Sequence, residues 1–331
     1  MRRRDFSIGL LLAGCTRSAR AQEPAKQHRI AIISPAGSAT RISETSPYAF
    51  FKEFFKELRR LGDVEGQNLT VERSSSEGRP ERYADLAREV VNHKPDLVVA
   101  ITPPIAKAVR AASDTIPIVF TSGDPIRAGL VTSLAHPGGN MTGVNVQVDF
   151  EIWGKRLQIL KEAVPSASKV SLLDLRAYWE YDVGPLREPS QQLQISLVGM
   201  LLEESTPAEV RRVFAELARD RPDAIMVGTD ATLTVHYPLI VKLVNKSGLP
   251  AIYPWREYVE AGGLMAYGAD LGEVGRRAAN VVHEILNGAK PGDIPIYRPT
   301  KFEFLINLKA AEALGLTIPP ALLAQADEVI E

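Results

Sequence analysis

The ten residues IPIVFTSGDP, Ile116–Pro125, set an apolar run directly before a polar loop that contains a glycine, an acid and a proline. A short apolar run bounded by turn residues reads as a buried strand, here Ile118–Phe120, and its polar end faces something other than the core. The same arrangement recurs upstream. Arg29–Ser34 (RIAIIS), Asn68–Glu72 (NLTVE) and Leu97–Ile101 (LVVAI) read as strands. Pro47–Leu61, Arg79–Asn92 and Pro104–Ala112 read as the helices between them. In the first helix Phe50, Phe51, Phe54, Phe55 and Leu58 share one stripe, and Gly62 ends it. Strands and helices that alternate through short connections mean βαβ units and a parallel sheet.

Near Asn145–Glu151 the pattern restarts. Ile152–Val164, Pro207–Arg219 and Pro238–Ser247 have helical spacing, while Val170–Leu173, Ile195–Leu201, Ala224–Val227 and Ala251–Tyr253 read as strands. The tail adds a strand at Leu264–Tyr267, a helix at Leu271–Leu286 and a strand at Phe302–Ile306. It makes no third complete half, so it is expected to cross back between the other two. The fold class expected is therefore α/β, with two Rossmann-like lobes and parallel sheets. Lobe one takes 28–145 plus about 269–297, and lobe two takes 146–268 plus about 298–331. Open parallel sheets bind ligands beyond the carboxyl ends of their strands. Two such edges facing each other make an interlobe cleft with a hinge.

The 331 residues are 45% apolar and 24% charged, a globular composition with material for two cores. Residues 1–21 hold five Arg and one Asp, leaving 34 basic and 39 acidic residues, a net of about −5. No basic patch with interleaved aromatics stands out, which argues against a nucleic-acid partner. The first residues, MRRRDFSIGLLLAGC, read as an export signal: a basic start, an apolar run too short to span a bilayer, and an Arg3-Arg4-Asp5-Phe6 segment like a twin-arginine signal. Two cleavage sites compete. Leu12-Ala13-Gly14-Cys15 reads as a lipobox that would lipidate Cys15, and Ala19-Arg20-Ala21 as an ordinary small-x-small site. The expected location is periplasmic, with any contact to the membrane through that lipid alone. Cys15 is the single cysteine, so no disulfide is expected.

The loops after the strands supply the candidate ligand-binding residues. In lobe one these are Ser34, then Thr102 with the N–H groups of Ile105 and Ala106 at a helix N-terminus, then Thr121, Ser122 and Asp124. Pro103 and Pro104 lack N–H groups, so Ile105, Ala106 and the Thr102 hydroxyl are the donors left for an anion. Asp124 can equally cap the turn before Pro125, and Thr102 can equally be a plain N-cap. In lobe two they are Tyr178 and Trp179, then Asp230, Tyr253, Trp255 and Tyr267. Asp230 beside aromatic neighbours suits an ammonium group, and aromatics at a strand end can sandwich a ring. The five histidines show no zinc-ligand spacing, and there is no GxSxG elbow, P-loop or GxGxxG after a strand. No catalytic residue, metal or cofactor is expected, and the chain reads as a binding protein.

Five segments carry a resemblance: LRRLGDVEGQNLTVERSSSEGRPERYADLA, IPIVFTSGDPIRAGLV, SLAHPGGNMTGV, LPAIYPWREYVEAGGLMAYGADL and PTKFEFLINLKAAEALGLTIPPALLAQADEVIE. Together they resemble the ABC transporter substrate-binding family that includes tryptophan and tyrosine uptake components. The likeness runs from about Arg29 to Glu331. It implies a type I periplasmic-binding-protein fold with three crossovers, and a monomer that delivers a small ligand to ABC permease and ATPase subunits. This chain departs from the family at Ile101-Thr102-Pro103-Pro104, where relatives carry a Gly-Thr-Pro-Ala-like turn. It departs again at Asp174–Trp179, where relatives carry an Asn-Pro-rich loop. The ligand expected is amino acid-like or an aromatic carboxylate. The alternatives are a periplasmic ligand-sensing subunit of a signalling system and a secreted enzyme.

Overall fold

A computed structural model of the chain describes residues 27–146, 151–217 and 219–331. The export signal and Cys15 lie outside the described residues.

Two sheets organise the molecule. The first has five strands in the order β2-β1-β3-β4-β5: β1 His28–Ser34, β2 Leu69–Ser75, β3 Leu97–Ile101, β4 Ile118–Ser122 and β5 Met141–Asn145. Every pairing in it is parallel. The second has seven strands in the order β12-β11-β10-β9-β8-β6-β7. These are β6 Lys169–Leu175, β7 Ser196–Leu202, β8 Ala224–Val227, β9 Ala251–Tyr253, β10 Met265–Ala269, β11 Phe302–Asn307 and β12 Glu328–Ile330. Strands β6 to β10 run parallel; β11 is antiparallel to β10 and β12 parallel to β11. The second sheet is thus mixed at one edge. After β10 the chain leaves for the helix Leu271–Leu286 and re-enters the sheet from the opposite end, which reverses β11.

The strands read as buried apolar runs because helices cover both faces. All five residues of β3 and all five of β4 are buried. The helix Ala49–Leu61 presents Phe50, Phe51, Phe54, Phe55 and Leu58 inward, and Gly62 ends it at φ +96°, a conformation glycine adopts without Cβ strain. Against it lies the helix Leu271–Leu286, which also packs on β3, β4 and β5. Gly275 permits this: a Cβ there would stand 2.2 Å from the Phe50 carbonyl oxygen. One apolar cluster runs from Ile30, Phe54 and Val99 through Val274 and Ala278 to Val227 and Tyr253, so the two halves share packing. Separate clusters around Phe120 and around Trp153 fill the outer layers.

Two strands went unread in the sequence, β5 and β12, along with several short helices. Among these are Trp179–Val183, which overlaps the aromatic stretch read as a loop, and Arg187–Gln192 after it.

Candidate functional site

The carboxyl ends of the two parallel strand sets face each other across a cavity of about 490 Å³, within the usual range for a small-molecule site. Lobe one contributes Ser34, Thr102, Thr121, Ser122 and Asp124 to its wall, each at a strand end or in the loop that follows. Lobe two contributes Tyr178, Asp230 and Trp255. Five other residues singled out above stand elsewhere. Ile105 and Ala106 are fully buried in the lobe-one core, and the Ala106 N–H already donates to the Thr102 carbonyl at 3.2 Å. Tyr253 is buried and stacks on Tyr258, with centroids 5.0 Å apart. Tyr267 stacks on Phe302 of the neighbouring strand at 5.9 Å, and Trp179 packs on the outer lobe-two cluster.

Thr102 is the first unusual residue of the wall. Its φ is +91°, strained backbone for a β-branched residue, and its N–H donates to Thr121 Oγ1 at 3.2 Å. Its own hydroxyl makes no cap bond and has no partner. The Ser122 hydroxyl is likewise buried without a partner. Buried polar atoms are nearly always satisfied, so two orphaned hydroxyls on one cavity wall are free to bond a molecule in the cavity. Ser34 differs, since its hydroxyl donates to the Ala36 carbonyl at 3.0 Å. Asp124 caps its own turn, accepting the Arg127 N–H at 2.9 Å.

The opposite wall is acidic. Asp230 caps the helix Ala231–Thr234, and both the N–H of Thr232 (2.7 Å) and its hydroxyl (2.5 Å) donate to Oδ1. Burial raises its pKa above the ordinary carboxylate range. Asp182, on the helix Trp179–Val183, also lines the cavity, and burial pushes it up to about 6. Behind it Asp174 is fully buried, its Oδ2 has no partner, and burial together with Asp182 lifts its pKa well above normal. Glu257 adds a third acid to the lining of this wall, also raised by burial. Its Oε1 accepts the N–H of Ala49, the first residue of a lobe-one helix, at 3.3 Å.

Aromatic residues surround these charges: Tyr48, Phe50, Phe51, Tyr178, Tyr181 and Trp255. Trp255 has the buried Arg156 guanidinium 5.8 Å from its ring centroid. Across the cleft, the lobe-one Arg127 guanidinium lies 4.0 Å from the Tyr181 ring centroid in lobe two, a cation–π contact. Tyr48 meets Tyr237 edge-on at 6.5 Å, and Asp230 helps burial push the Tyr83 phenol up to about 12. These contacts bring residues of the two lobes together across the cleft. Arg127, Tyr181, Asp182 and Glu257 were not read from the sequence. They lie on the turns and short helices beyond the strand-end loops, and their spacing carries no signal.

A cavity at facing strand edges of two α/β lobes, walled by both, defines a two-lobed ligand-binding protein of the type I periplasmic-binding-protein fold. The family model for ABC transporter substrate binding proteins matches residues 37–330, and the chain belongs to that family. A tyrosine-binding protein of Clostridioides difficile (strain R20291) is 29% identical over 268 residues, covering 80% of this chain and 76% of that protein. A Streptococcus pneumonia ABC domain in complex with L-Trp aligns with TM-score 0.80 at 25% identity, covering 92% of this chain and 100% of that one. The ligand-free, open structure of a Clostridium difficile substrate-binding protein with adhesive properties aligns at the same identity with TM-score 0.62, covering 92% and 99%.

Proposed function

We propose that this chain is the extracytoplasmic solute-binding component of an ABC importer, capturing a small amino acid-like or aromatic ligand between its lobes. One observation carries the reading: a ligand-sized cavity lined from both lobes, in which the Thr102 and Ser122 hydroxyls are buried without partners. The tyrosine-binding relative and the tryptophan-bound neighbour support an aromatic amino-acid-like ligand. The chain is read as binding its ligand rather than transforming it, which its membership of a substrate-binding family supports. Its partners are a permease and an ATPase, it acts as a monomer in the periplasm, and Cys15 is either lipidated or removed with the signal. The lobes are 28–145 with about 269–297, and 146–268 with about 298–331. The helix Leu271–Leu286 against the first sheet and β11 and β12 in the second support those boundaries.

A thermal-shift panel of amino acids and aromatic acids tests this. A ligand that binds only the native state raises Tm, by the equivalent of about 2.7 kcal/mol at a hundred times Kd. At least one aromatic member should do so. A flat response to every member at millimolar concentration would contradict the reading.

A further inference from the structure

The charges of the cavity are unevenly placed. Among the described residues its lining holds four acids, Asp124, Asp182, Asp230 and Glu257, and two bases, Lys107 and Arg127. Both bases are exposed, whereas Asp182 and Glu257 are buried and Asp230 is enclosed. Water screens the exposed cations; the buried carboxylates act through a medium of much lower dielectric constant. Arg127 also faces Asp182 and stacks on Tyr181, and the buried Arg156 behind Trp255 is a second cation that partly offsets Asp182, while Asp230 feels neither.

Among the described residues the usual seat for an anion, an open helix N-terminus, is poorly provided too. Helices begin among or beside the lining residues at Ala49, Pro103, Trp179, Ala231, Arg256 and Leu271. Glu257 accepts the Ala49 N–H from across the cleft and itself stands in the first turn of Arg256–Glu260. Asp230 caps the Ala231 helix and Asp270 the Leu271 helix. Glu180 and Asp182 occupy the first turn of the Trp179 helix. The remaining helix opens with Pro103 and Pro104, which have no N–H to offer, and the Ala106 N–H is spent on Thr102, which leaves the Ile105 N–H in its first turn. Each of these six helix ends is either neutralised by a carboxylate of the protein or short of first-turn donors.

We infer that this cavity recognises its ligand through a protonated amine held on the Asp182–Asp230 wall, and that a carboxylate on the ligand is dispensable. The ligand class is then an arylalkyl amine, of which an aromatic amino acid is one member. The aromatic lining takes the ring, the orphaned Thr102 and Ser122 hydroxyls serve as acceptors or donors at the other wall, and Asp230 Oδ2 is the carboxylate oxygen not used in capping. This inference rests on the cavity being the ligand site.

Isothermal titration of the purified chain separates the two claims. The probes are tyramine and tryptamine, L-tyrosine and L-tryptophan, and the deaminated acids 3-(4-hydroxyphenyl)propionate and indole-3-propionate. An amine should bind within about tenfold of its parent amino acid, and the matching deaminated acid about a hundredfold more weakly, the worth of a charge-assisted hydrogen bond in a dry site. Asp230→Asn keeps the helix cap, because asparagine caps as well as aspartate, so the fold is retained. It should weaken amine binding about tenfold or more. Deaminated acids that bind as tightly as the amino acids, with amines inactive, would overturn the inference and leave the solute-binding reading standing. If no probe of any class binds, both fall.

Discussion

Thr102 and Ser122 connect strain, burial and function at single positions. Their hydroxyls make no bond within the protein, so Thr102→Val and Ser122→Ala should leave the stability of the ligand-free chain within about 0.5 kcal/mol. Each should weaken ligand binding by about 1–2 kcal/mol, because a hydrogen bond to a polar or charged ligand group is lost. Equilibrium denaturation and titration calorimetry together check this; a large loss of stability would mean the hydroxyls are structural. Asp182 makes a pH prediction. Its folded pKa, about 6, lies above its ordinary value of 3.8, so between those values the native state holds more protons than the unfolded chain. Its contribution to stability is therefore greatest below that window and declines as pH rises through 6. The ligand-free chain should gain more Tm on going from pH 7.5 to 5 than Asp182→Asn does, read by calorimetry at both pH values; equal gains would show that Asp182 does not titrate there. Many wall residues were legible in the sequence because polar residues following an apolar strand run have one place to go. Tyr253 was misread for a simple reason. Strand β9 is buried on both faces, so the side chain of its last residue stays in the core, where it meets Tyr258; the cavity is reached beyond the strand, at Trp255.

The helix Leu271–Leu286 shows how one element joins tail to core. Its first turn is capped by Asp270, whose Oδ1 accepts the Gly272 and Glu273 N–H groups at 2.7 and 3.1 Å. Arg276 reaches Glu53 on the partner helix at 3.2 Å, a half-buried pair still open to water that adds little. Close approach at Gly275 does more. Gly275→Ala must push the helices apart, so it should cost about 1–3 kcal/mol despite alanine's better helix propensity. A denaturation midpoint equal to that of the natural chain would show the interface to be slack. Elements with a strong period were readable, such as the phenylalanine stripe of Ala49–Leu61. Strand β5, MTGVN, was not, because its burial comes from neighbours on both faces and its five residues include Thr, Gly and Asn. Strand β12 has three residues and is exposed or half-buried, so it carries no apolar signal at all. The aromatic segment 176–183 reads equally as loop or helix until Asp182 and Val183 are seen to be buried.

The molecule as a whole works through its two lobes. The restart of the βα pattern near Asn145 foretold two sheets, since each set of strands needs its own helical cover. The antiparallel β11 was not foretold, because strand direction depends on where the preceding helix lies in space. In the arrangement seen here the lobes touch through Arg127 on Tyr181, Glu257 on the Ala49 N–H and Tyr48 against Tyr237. Exposed cation–π and single hydrogen-bond contacts are worth about 0.5–1.5 kcal/mol each, too little to hold a cleft shut against the desolvation of its acidic wall. A ligand that touches both walls binds the closed form better and shifts the population toward it. Small-angle scattering of the purified chain, alone and saturated with whichever aromatic probe raises Tm most, measures this directly. The account predicts a smaller radius of gyration with ligand than without; a saturating ligand that leaves the radius unchanged would contradict it.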